Sequence, residues 1–471
     1  MPPFLQAVAT AHTPESLAER LAGVPGRVLL RSALFDGAQA RYSFFTAQPF
    51  LTFRSAGSRC ETRDAAGVGQ VQFGNPWHAL DALMARYELL EEWDYPFPLG
   101  GCFGYWGYDL KNFVEPRLPR RAINDLELPD CHVGFYDSLV VFDHEVGRTW
   151  LISTGLAADG SRSEVWAAQR REFWLAHLAS APATAPVPAP PPAAAAVAWS
   201  SNLTRDEFVA RVARVQDYIR AGDIYQANLA QRLAAPCALS GWEFYRRLAA
   251  VSPAPFSAYL ECGEFQIASS SPELFLRLHG AEIRTRPIKG TRPRSGDAAQ
   301  DAELARELRA SPKELAELVM ITDLLRNDLG RVCEYGSVAV PELVRLERYA
   351  QVQHLVSTIT GRLRPEMTHF AAFAACFPGG SITGAPKIRA MEIIDELETV
   401  SRGPYTGALG YLGFNRDSQL SIAIRSAVLR AGTAWFHVGA GIVADSEPAA
   451  EYAETLAKSR GFTAALAAGP A

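Results

Sequence analysis

One lysine lies in a stretch whose composition could make its amine reactive. Lys289 lies between Pro287 and Gly290 in the run RTRPIKGTRPR, residues 284–294, and four arginines stand within five positions of it. Positive neighbours disfavour the protonated form of an amine, and a neutral lysine amine is a nucleophile. The same run also suits a solvated basic strand at a sheet edge, which deters pairing with other chains. The run alone leaves both interpretations open.

Two predicted helices each carry a pair of carboxylates three residues apart. The pairs are Glu314 with Glu317 and Glu451 with Glu454. This spacing puts both side chains on one helix face, and facing carboxylates can hold Mg²⁺, which completes its coordination with water and substrate. Glu314 and Glu451 also suit the first turn of a helix, where the helix dipole favours an acidic residue. The pattern therefore fits either a metal site or ordinary helix starts.

Two glycine-rich loops could bind anions. Residues 378–387 read PGGSITGAPK and open a predicted helix, and residues 439–441 read GAG. Such loops present free N–H groups to an anion, although many are only turns. The spacing of a nucleotide-binding P-loop is absent. Tyr405 and Arg425 offer further contacts, so a small dianion would suit these groups.

The composition is that of a soluble globular chain. Its 471 residues are 48% hydrophobic and 21% charged, with a net charge of −5 and no basic stripe, which argues against nucleic-acid binding. Seven cysteines, none in a C-x-x-C pair, favour reduced thiols over disulfides or zinc. We find no signal peptide and no apolar run of ~18 residues that could cross a membrane. We therefore expect a cytoplasmic protein.

Apolar periodicity and turn residues predict alternating strands and helices. The predicted strands include 28–30, 42–45, 50–53, 100–108, 135–142, 257–260, 265–269, 274–278, 407–414, 420–429 and 434–438. The predicted helices include 77–90, 163–178, 204–221, 311–330, 385–400 and 446–460. Thr204 and Glu207 form a capping box, and Val319 is predicted to face inward with its apolar helix neighbours.

Four ordered motifs resemble those of the chorismate-utilising enzymes, which include anthranilate, isochorismate, salicylate and aminodeoxychorismate synthases. The motifs are PIKGT at 287–291, DLLRNDL at 323–329, GSITGAPK at 380–387 and GAGIVADS at 439–446. The resemblance implies an α+β fold of two packed antiparallel β-sheets with helices on the outside. It also implies an N-terminal part of the chorismate-binding unit at 1–180, an Ala/Pro-rich linker at 181–199 and a catalytic part at 200–471.

Two positions indicate a branch of this family. Gln226 stands where members that add water have a lysine base, and Lys289 stands where anthranilate synthases typically carry alanine. A lysine there is typical of aminodeoxychorismate synthase component I. The resemblance thus implies amination of chorismate to 4-amino-4-deoxychorismate, for p-aminobenzoate and folate biosynthesis, through a covalent adduct on Lys289. An anthranilate synthase large subunit with an atypical lysine, and a non-catalytic paralogue that binds the glutaminase, are the alternatives.

Further roles carry over from the family by position. Glu273 matches the general acid that protonates the leaving C4 hydroxyl, a task that requires a raised pKa. Glu317 and Glu454 match Mg²⁺ ligands, and Glu314 and Glu451 match partners that act through water. The residues expected to contact the substrate are Gln226, Thr291, His354, Thr383, Tyr405, Arg425, Gly439, Ala440, Gly441 and Lys458. By its local sequence alone, His354 is better described as a core histidine, because a lone histidine on an apolar strand is usually a core residue.

The resemblance also bears on partners and regulation. The chain has no Gly-x-Cys-x-Gly nucleophile stretch, so we expect a separate glutaminase subunit to supply ammonia. A tryptophan pocket, present in some relatives, would be lined here by Leu30, Ser32, Pro255 and Phe256. Arg31 replaces an acidic residue common in feedback-inhibited anthranilate synthases, so inhibition by tryptophan is not expected, although a structural tryptophan stays open.

Overall fold

Two large antiparallel sheets contain all the strands of the described chain. The computed structural model describes residues 2–32, 41–89, 94–182, 197–349 and 352–467. Within these ranges the chain forms 24 strands, 12 α-helices and two short 3-10 helices, and each sheet has 12 strands. This confirms the predicted α+β fold of two antiparallel sheets with helices.

The strands and helices have the following bounds. The strands are β1 Phe4–Val8, β2 Val28–Arg31, β3 Tyr42–Thr46, β4 Leu51–Ala56, β5 Arg59–Asp64, β6 Gly69–Phe73, β7 Gly101–Trp106, β8 Cys131–Tyr136, β9 Ser138–Asp143, β10 Arg148–Ser153, β11 Ser200–Ser201, β12 Gln226–Pro236, β13 Phe256–Glu261, β14 Gln266–Ser271, β15 Leu274–His279, β16 Glu282–Arg286, β17 Ile288–Pro293, β18 Ala339–Arg348, β19 Val352–Arg362, β20 Gly384–Ala385, β21 Ala408–Gly413, β22 Asp417–Ile422, β23 Ser426–Arg430 and β24 Thr433–Ile442. The α-helices are α1 Pro14–Arg20, α2 Pro76–Tyr87, α3 Lys111–Val114, α4 Glu164–Leu178, α5 Arg205–Arg220, α6 Gly241–Val251, α7 Ala298–Ala310, α8 Pro312–Gly330, α9 His369–Cys376, α10 Lys387–Leu397, α11 Pro448–Lys458 and α12 Arg460–Ala467. The 3-10 helices are Tyr108–Leu110 and Gly380–Ile382.

Strands from both halves of the chain interleave in each sheet. The first sheet has the order β1-β10-β9-β3-β2-β13-β14-β23-β24-β12-β11, with β20 also paired to β12. The second has the order β17-β19-β16-β15-β22-β21-β7-β8-β4-β5-β6, with β18 also paired to β19. Thus β2 pairs with β13, and β7 pairs with β21. Residues 183–196, most of the predicted linker, lie outside the described residues, and the boundaries of the two parts stay a prediction.

Alternating apolar side chains explain why the first sheet is covered on both faces. Successive residues of a strand point to opposite faces. Val28 and Phe44 belong to the large core that includes the second sheet, whereas their neighbours Leu29 and Phe45 belong to a second core with α1, α4, α6 and α12. Helices α2 and α9 join the large core, where Trp77 packs edge-on against another aromatic ring.

Two predicted strands are wrong because the chain changes sheets within them. The run 135–142 divides at Asp137 into β8 of the second sheet and β9 of the first. The run 420–429 likewise divides into β22 and β23. Both sides of each crossing are buried and apolar, so the pattern shows one continuous strand where the structure has two.

The local helix signals have mixed outcomes. The capping box of Thr204 and Glu207 is confirmed at the start of α5. The inward orientation predicted for Val319 is wrong, since 47% of its surface is exposed. The buried stripe of α8 includes Leu318 and Ile321, and Val319 lies about 100° around the helix from Leu318. In the described part of the chain, no helix combines the length and the apolar character needed to span a membrane.

Candidate active site

The predicted acid, Glu273, lies where the chain crosses from one sheet to the other. It lies between β14 of the first sheet and β15 of the second, and its side chain is buried. Burial raises its pKa to about 7, an effect that a hydrogen bond from Ser381 and the charge of Lys289 only partly oppose. A substantial share of Glu273 is therefore protonated near neutral pH, as suits a general acid.

Lys289 lies on β17, at the end of the second sheet, beside helix α8. Its Nζ is 4.0 Å from Glu317 Oε2, and each of the two side chains is 15% exposed. At Gly290 the pairing with β19 shifts register, and the backbone adopts a φ of +66°. A Cβ at Gly290 would lie 2.7 Å from Leu308 and 3.0 Å from Glu314, so glycine lets α7 and α8 approach the strand.

The arginines around Lys289 are balanced by carboxylates. Three of the four form ion pairs, and Arg284 is exposed. The pairs are Arg286 with Glu347, Arg292 with Glu314 at 3.5 Å, and Arg294 with Asp301 at 2.8 Å. Carboxylates thus offset much of the arginine charge in this run, and Lys289 itself lies within 4.0 Å of Glu317.

The two predicted carboxylate pairs face each other across α8 and α11. Burial raises the pKa of Glu317 and of Glu451, and each senses charges from the opposite helix. Lys458 lowers the pKa of Glu454 against the effect of burial, with Nζ 2.7 Å from its carboxylate. Glu451 also accepts a hydrogen bond of 2.6 Å from Ser446.

These carboxylates suit a hard divalent cation by their chemistry. The described residues contain no group of three or more acidic, histidine or cysteine side chains already gathered to hold a metal ion. Magnesium sites commonly use only one or two carboxylates and complete the coordination shell with water and substrate oxygens. Glu317, 15% exposed, and the buried Glu451 both have raised pKa values and are consistent with such a site, whereas the predicted ligand Glu454 is 52% exposed with a lowered pKa. A metal there stays a prediction.

A half-buried guanidinium, with no carboxylate partner among the described residues, suits an anionic ligand. Arg425 lies at the second sheet crossing, between β22 and β23, with a φ of +52°. Burial lowers its pKa, and its Nη1 donates to Lys458 O at 3.3 Å. Among the described residues no ion pair neutralises it. A largely desolvated cation without a paired carboxylate favours an anionic ligand.

Groups from β24 and its neighbours surround this position. Lys458 Nζ donates to Gly439 O at 2.8 Å, and burial lowers the pKa of Lys458. The Tyr405 hydroxyl lies 2.9 Å from the position that a Cβ on Gly439 would occupy. Ala440 pairs with Leu229 on β12. Glycine at 439 thus allows a phenol, an ammonium and a backbone segment to meet.

Gln226 presents an unsatisfied amide to the same region. The residue is fully buried at the start of β12, and neither its Oε1 nor its Nε2 has a partner among the described residues. A Cβ on Gly441 would lie 2.7 Å from Nε2, so the absence of a side chain there accommodates the amide. Buried polar atoms without partners are uncommon and fit a position that a ligand contacts.

A threonine and a histidine lie on adjacent strands beside Lys289. Thr291 Oγ1 and His354 Nδ1 are 2.8 Å apart, across the pairing of β17 with β19. Burial lowers the pKa of His354 to about 4, so the imidazole is neutral at pH 7. The fully buried Thr383 belongs to the loop after the second 3-10 helix, and its carbonyl accepts from Asn228 N at 2.8 Å.

The residues of the predicted tryptophan pocket lie between the two sheets. A cavity of about 20 Å³ is lined by all four of them. The residues are Leu30, Ser32, Pro255 and Phe256. This volume suits one water molecule and is too small for an indole ring. Arg31, which also lines the cavity, pairs with Glu15, and tryptophan binding stays a prediction.

Sequence reasoning gave no role to two contacts that support the site. Ser381 bonds to Glu273, although it was noted only as part of a motif. Lys387, the last residue of that motif, donates to Asp328 Oδ2 at 2.6 Å and so holds the loop onto α8. The motif itself could have indicated both contacts, since its polar residues lie on both sides of Thr383 in the sequence.

Comparisons with known proteins identify the family. Residues 31–464 match the family described as chorismate binding enzyme. The chain is 41% identical to aminodeoxychorismate synthase component 1 of Klebsiella aerogenes over 93% of each chain. It is 37% identical to anthranilate synthase component 1 of Acetivibrio thermocellus over 99% of this chain and 95% of the relative. The crystal structure of anthranilate synthase component I from Streptococcus pneumoniae TIGR4 matches with a TM-score of 0.78 and 31% identity, over 92% of this chain and 94% of that one.

The two-sheet architecture is that of a chorismate-utilising enzyme. The chain belongs to the chorismate binding enzyme family. Relatives named for two different products have similar identity to it. Membership of the family therefore leaves the product open.

Proposed function

We propose that this protein aminates chorismate at C4 and releases 4-amino-4-deoxychorismate. The observation that carries the proposal is the placement of Lys289 in the same site as Glu273, whose pKa is about 7. An amine nucleophile and a protonated carboxyl are the two groups required to displace a hydroxyl through a covalent intermediate. Relatives named aminodeoxychorismate synthase support the same product.

The proposed reaction has two balanced displacements. In the first, the lone pair on Nζ of Lys289 forms a bond to C2, and the ring double bonds shift toward C4. The C4–O bond breaks, and Glu273 gives its proton to the departing hydroxyl, which leaves as water. In the second, the lone pair of ammonia forms a bond to C4, the double bonds shift back and the C2–N bond breaks. The electron pair returns to Lys289, and the proton that the attacking ammonia loses returns Glu273 to its protonated form.

The remaining residues would hold the substrate for these steps. Arg425 and Lys458, with Tyr405 and the backbone at Gly439, would bind the enolpyruvyl carboxylate. His354 and Thr383 would line the ring near C4. Glu317 and Glu454 would hold Mg²⁺, which when bound neutralises the other carboxylate of the substrate. The neutral Gln226 amide supplies no base for activating water, which favours ammonia over water as the attacking group.

We propose that a separate glutaminase subunit supplies the ammonia. All seven cysteines are buried, and burial raises the pKa of thiols such as Cys102, Cys262 and Cys376. A glutaminase nucleophile needs an accessible thiol that ionises readily. The cysteines of this chain have the opposite properties.

One assay tests the proposed function. The purified chain is given chorismate, Mg²⁺ and ammonium, and the products are separated by chromatography and identified by mass. We expect 4-amino-4-deoxychorismate with the pyruvyl group retained. Anthranilate with free pyruvate would instead identify an anthranilate synthase, the second candidate, which relatives of similar identity favour. Absence of any turnover would favour the non-catalytic paralogue.

A further inference from the structure

Arg402 is buried and uses every hydrogen-bond donor of its guanidinium. Its Nε and Nη2 donate to the two oxygens of Glu398 at 2.8 and 2.7 Å. Nη2 also donates to Asn228 O at 2.8 Å. Nη1 donates to Ile382 O at 3.2 Å and to Thr406 Oγ1 at 3.1 Å. A guanidinium has five N–H donors in a rigid plane, and all five have acceptors here.

The acceptors belong to separate segments that carry the substrate-facing residues. Asn228 lies on β12, Ile382 ends the second 3-10 helix, and Thr406 lies in the turn before β21. Glu398 follows α10 and also accepts from the N–H of Ala230 at 2.9 Å, which ties the helix to β12. Each of the first three segments contains one residue of the proposed substrate site. Those residues are Gln226, Thr383 and Tyr405.

Two aromatic contacts fix the plane of the guanidinium. Its Cζ lies 4.6 Å from the ring centre of Tyr108 and 5.7 Å from that of Tyr405. Arg402 and Glu398 are 2% and 6% exposed, so solvent cannot take the place of any of these contacts. A lysine has three donors around one nitrogen and cannot satisfy five acceptor contacts arranged in a plane.

We propose that Arg402 is the positioning residue that holds these three segments in register for substrate binding. The inference rests on the proposed function, because it concerns the same site. Without the guanidinium, the carbonyls of Asn228 and Ile382 and the hydroxyl of Thr406 lose their common donor. The segments then separate, and Thr383 and Tyr405 no longer meet one substrate together. Displacement of binding groups by about 1 Å can reduce catalysis by about 100-fold.

Two variants and one matched control test the inference. Arg402→Lys keeps a positive charge beside Glu398, and Arg402→Met combined with Glu398→Gln removes both buried charges. The control is Arg170→Lys. Arg170 lies on α4, which carries none of the residues of the proposed site. It is also buried, pairs with Asp137 and donates to Gln48 O at 3.0 Å. Melting temperature, kcat and KM are measured for chorismate consumption with ammonium and Mg²⁺.

We expect kcat/KM to fall about 100-fold in both Arg402 variants, with KM for chorismate rising about tenfold. The kcat/KM of the Arg170→Lys control should stay within threefold of that of the unmodified chain, even if its melting temperature falls as much as that of the Arg402 variants. Activity within threefold in either folded Arg402 variant would overturn the inference. An equal loss of kcat/KM in the control would also overturn it. So would failure of both Arg402 variants to fold while the control folds. Either result would mean that Arg402 contributes to stability alone.

The readout separates this inference from the proposed function. Consumption of chorismate is followed whatever product forms, so anthranilate as the product would refute the proposed function while the effect of Arg402 remains measurable. If the unmodified chain consumes no chorismate, calorimetric binding of chorismate replaces kinetics. Equal affinity of Arg402→Lys and the unmodified chain would then overturn the inference.

Discussion

At the scale of single residues, the charges around Lys289 in the structure differ from those that its arginine-rich sequence suggests. Three neighbouring arginines turn to their own carboxylates, and the amine lies 4.0 Å from Glu317. Lys289 also acts electrostatically on Glu273, whose pKa burial raises to about 7. Two carboxyl groups thus interact with Lys289, and the raised pKa of Glu273 suits it to donate a proton near neutral pH.

Replacement of the nucleophile tests the covalent step. We expect Lys289→Ala to lower kcat for amination by roughly 1,000-fold or more, because the displacement through the lysine is lost. Mg²⁺-dependent binding of chorismate, measured by calorimetry, should remain. Lys313→Ala is the matched control, since this exposed lysine acts on Glu317 from the first turn of α8. An unchanged rate in Lys289→Ala would remove the residue from the mechanism.

The buried carboxyl of Glu273 makes stability depend on pH. Its pKa is about 7 in the folded protein, against 4.5 for an ordinary glutamate. Folding therefore favours the protonated form, and this stabilisation is complete below about pH 4.5 and is lost as pH rises toward 7. The difference corresponds to roughly 3 kcal/mol in the free energy of unfolding.

Glu273→Gln should remove this dependence, since the amide does not ionise. We expect the variant to be more stable than the unmodified chain at pH 8, by up to about 3 kcal/mol, and the advantage to shrink at pH 5. Urea unfolding at both pH values measures it. Glu264→Gln, at a carboxylate 82% exposed, is the control and should show no such gain. An equal gain at pH 5 and pH 8 would refute the assignment.

At the scale of elements, crossings between the sheets place polar groups inside the protein. Glu273 lies at the crossing from β14 to β15, and Arg425 at the crossing from β22 to β23. A residue between paired strands has backbone groups freed from the regular ladder, so its side chain can point into the space between the sheets. Gly290 on β17 also helps to build the site, because the irregular pairing there brings α8 close to Lys289.

Gly290→Ala tests the close approach of α8 to β17. The methyl group would meet Leu308 at 2.7 Å and Glu314 at 3.0 Å, in addition to the cost of a φ of +66°. We expect a loss of about 1–3 kcal/mol in unfolding free energy and about a 100-fold loss in kcat. Gly263→Ala is the control. Gly263 has a φ of +76° with open space around it, so this variant shows the cost of backbone strain without a steric clash. Equal effects of both variants on kcat would contradict the argument.

At the scale of the whole molecule, each sheet of the described chain contains strands from both halves of the sequence. The pairing of β2 with β13 and of β7 with β21 joins early and late strands in the interior of both sheets. The large core likewise contains residues from both parts, such as Phe103 and Tyr411, whose rings stack 5.3 Å apart. Folding of the site-bearing part therefore depends on the N-terminal part.

A split of the chain tests this dependence. We expect the fragment 200–471 alone to lack a cooperative thermal transition, because β13 and β21 lose partners and the core is opened. Mixing it with the fragment 1–199 should restore the transition and chorismate turnover. Circular dichroism and limited proteolysis measure the outcome. A cooperative transition in 200–471 alone would show that it is an independent domain.

Local signals in the sequence predicted much of the fold and the site, for identifiable reasons. Capping residues and apolar stripes act over a few positions, so the start of α5 at Thr204 and of α8 at Pro312 could be predicted. Strand runs such as 42–45 were predicted because their burial is local too. The crossings within 135–142 and 420–429 were missed, since a buried strand has the same composition in either sheet.

The sequence by itself determined which chemical groups this protein has and in what order. The motifs around Lys289 and Thr383, and the spacing of the acidic pairs, are properties of the chain and sufficed to identify the family. Only the tertiary structure decided how these groups act on one another. The burial that raises the pKa of Glu273, the pairing of Arg286 with Glu347 and the carbonyls of Asn228 and Ile382 at Arg402 come from segments far apart in sequence. Charge and solvation depend on distance in space, which residue order does not contain.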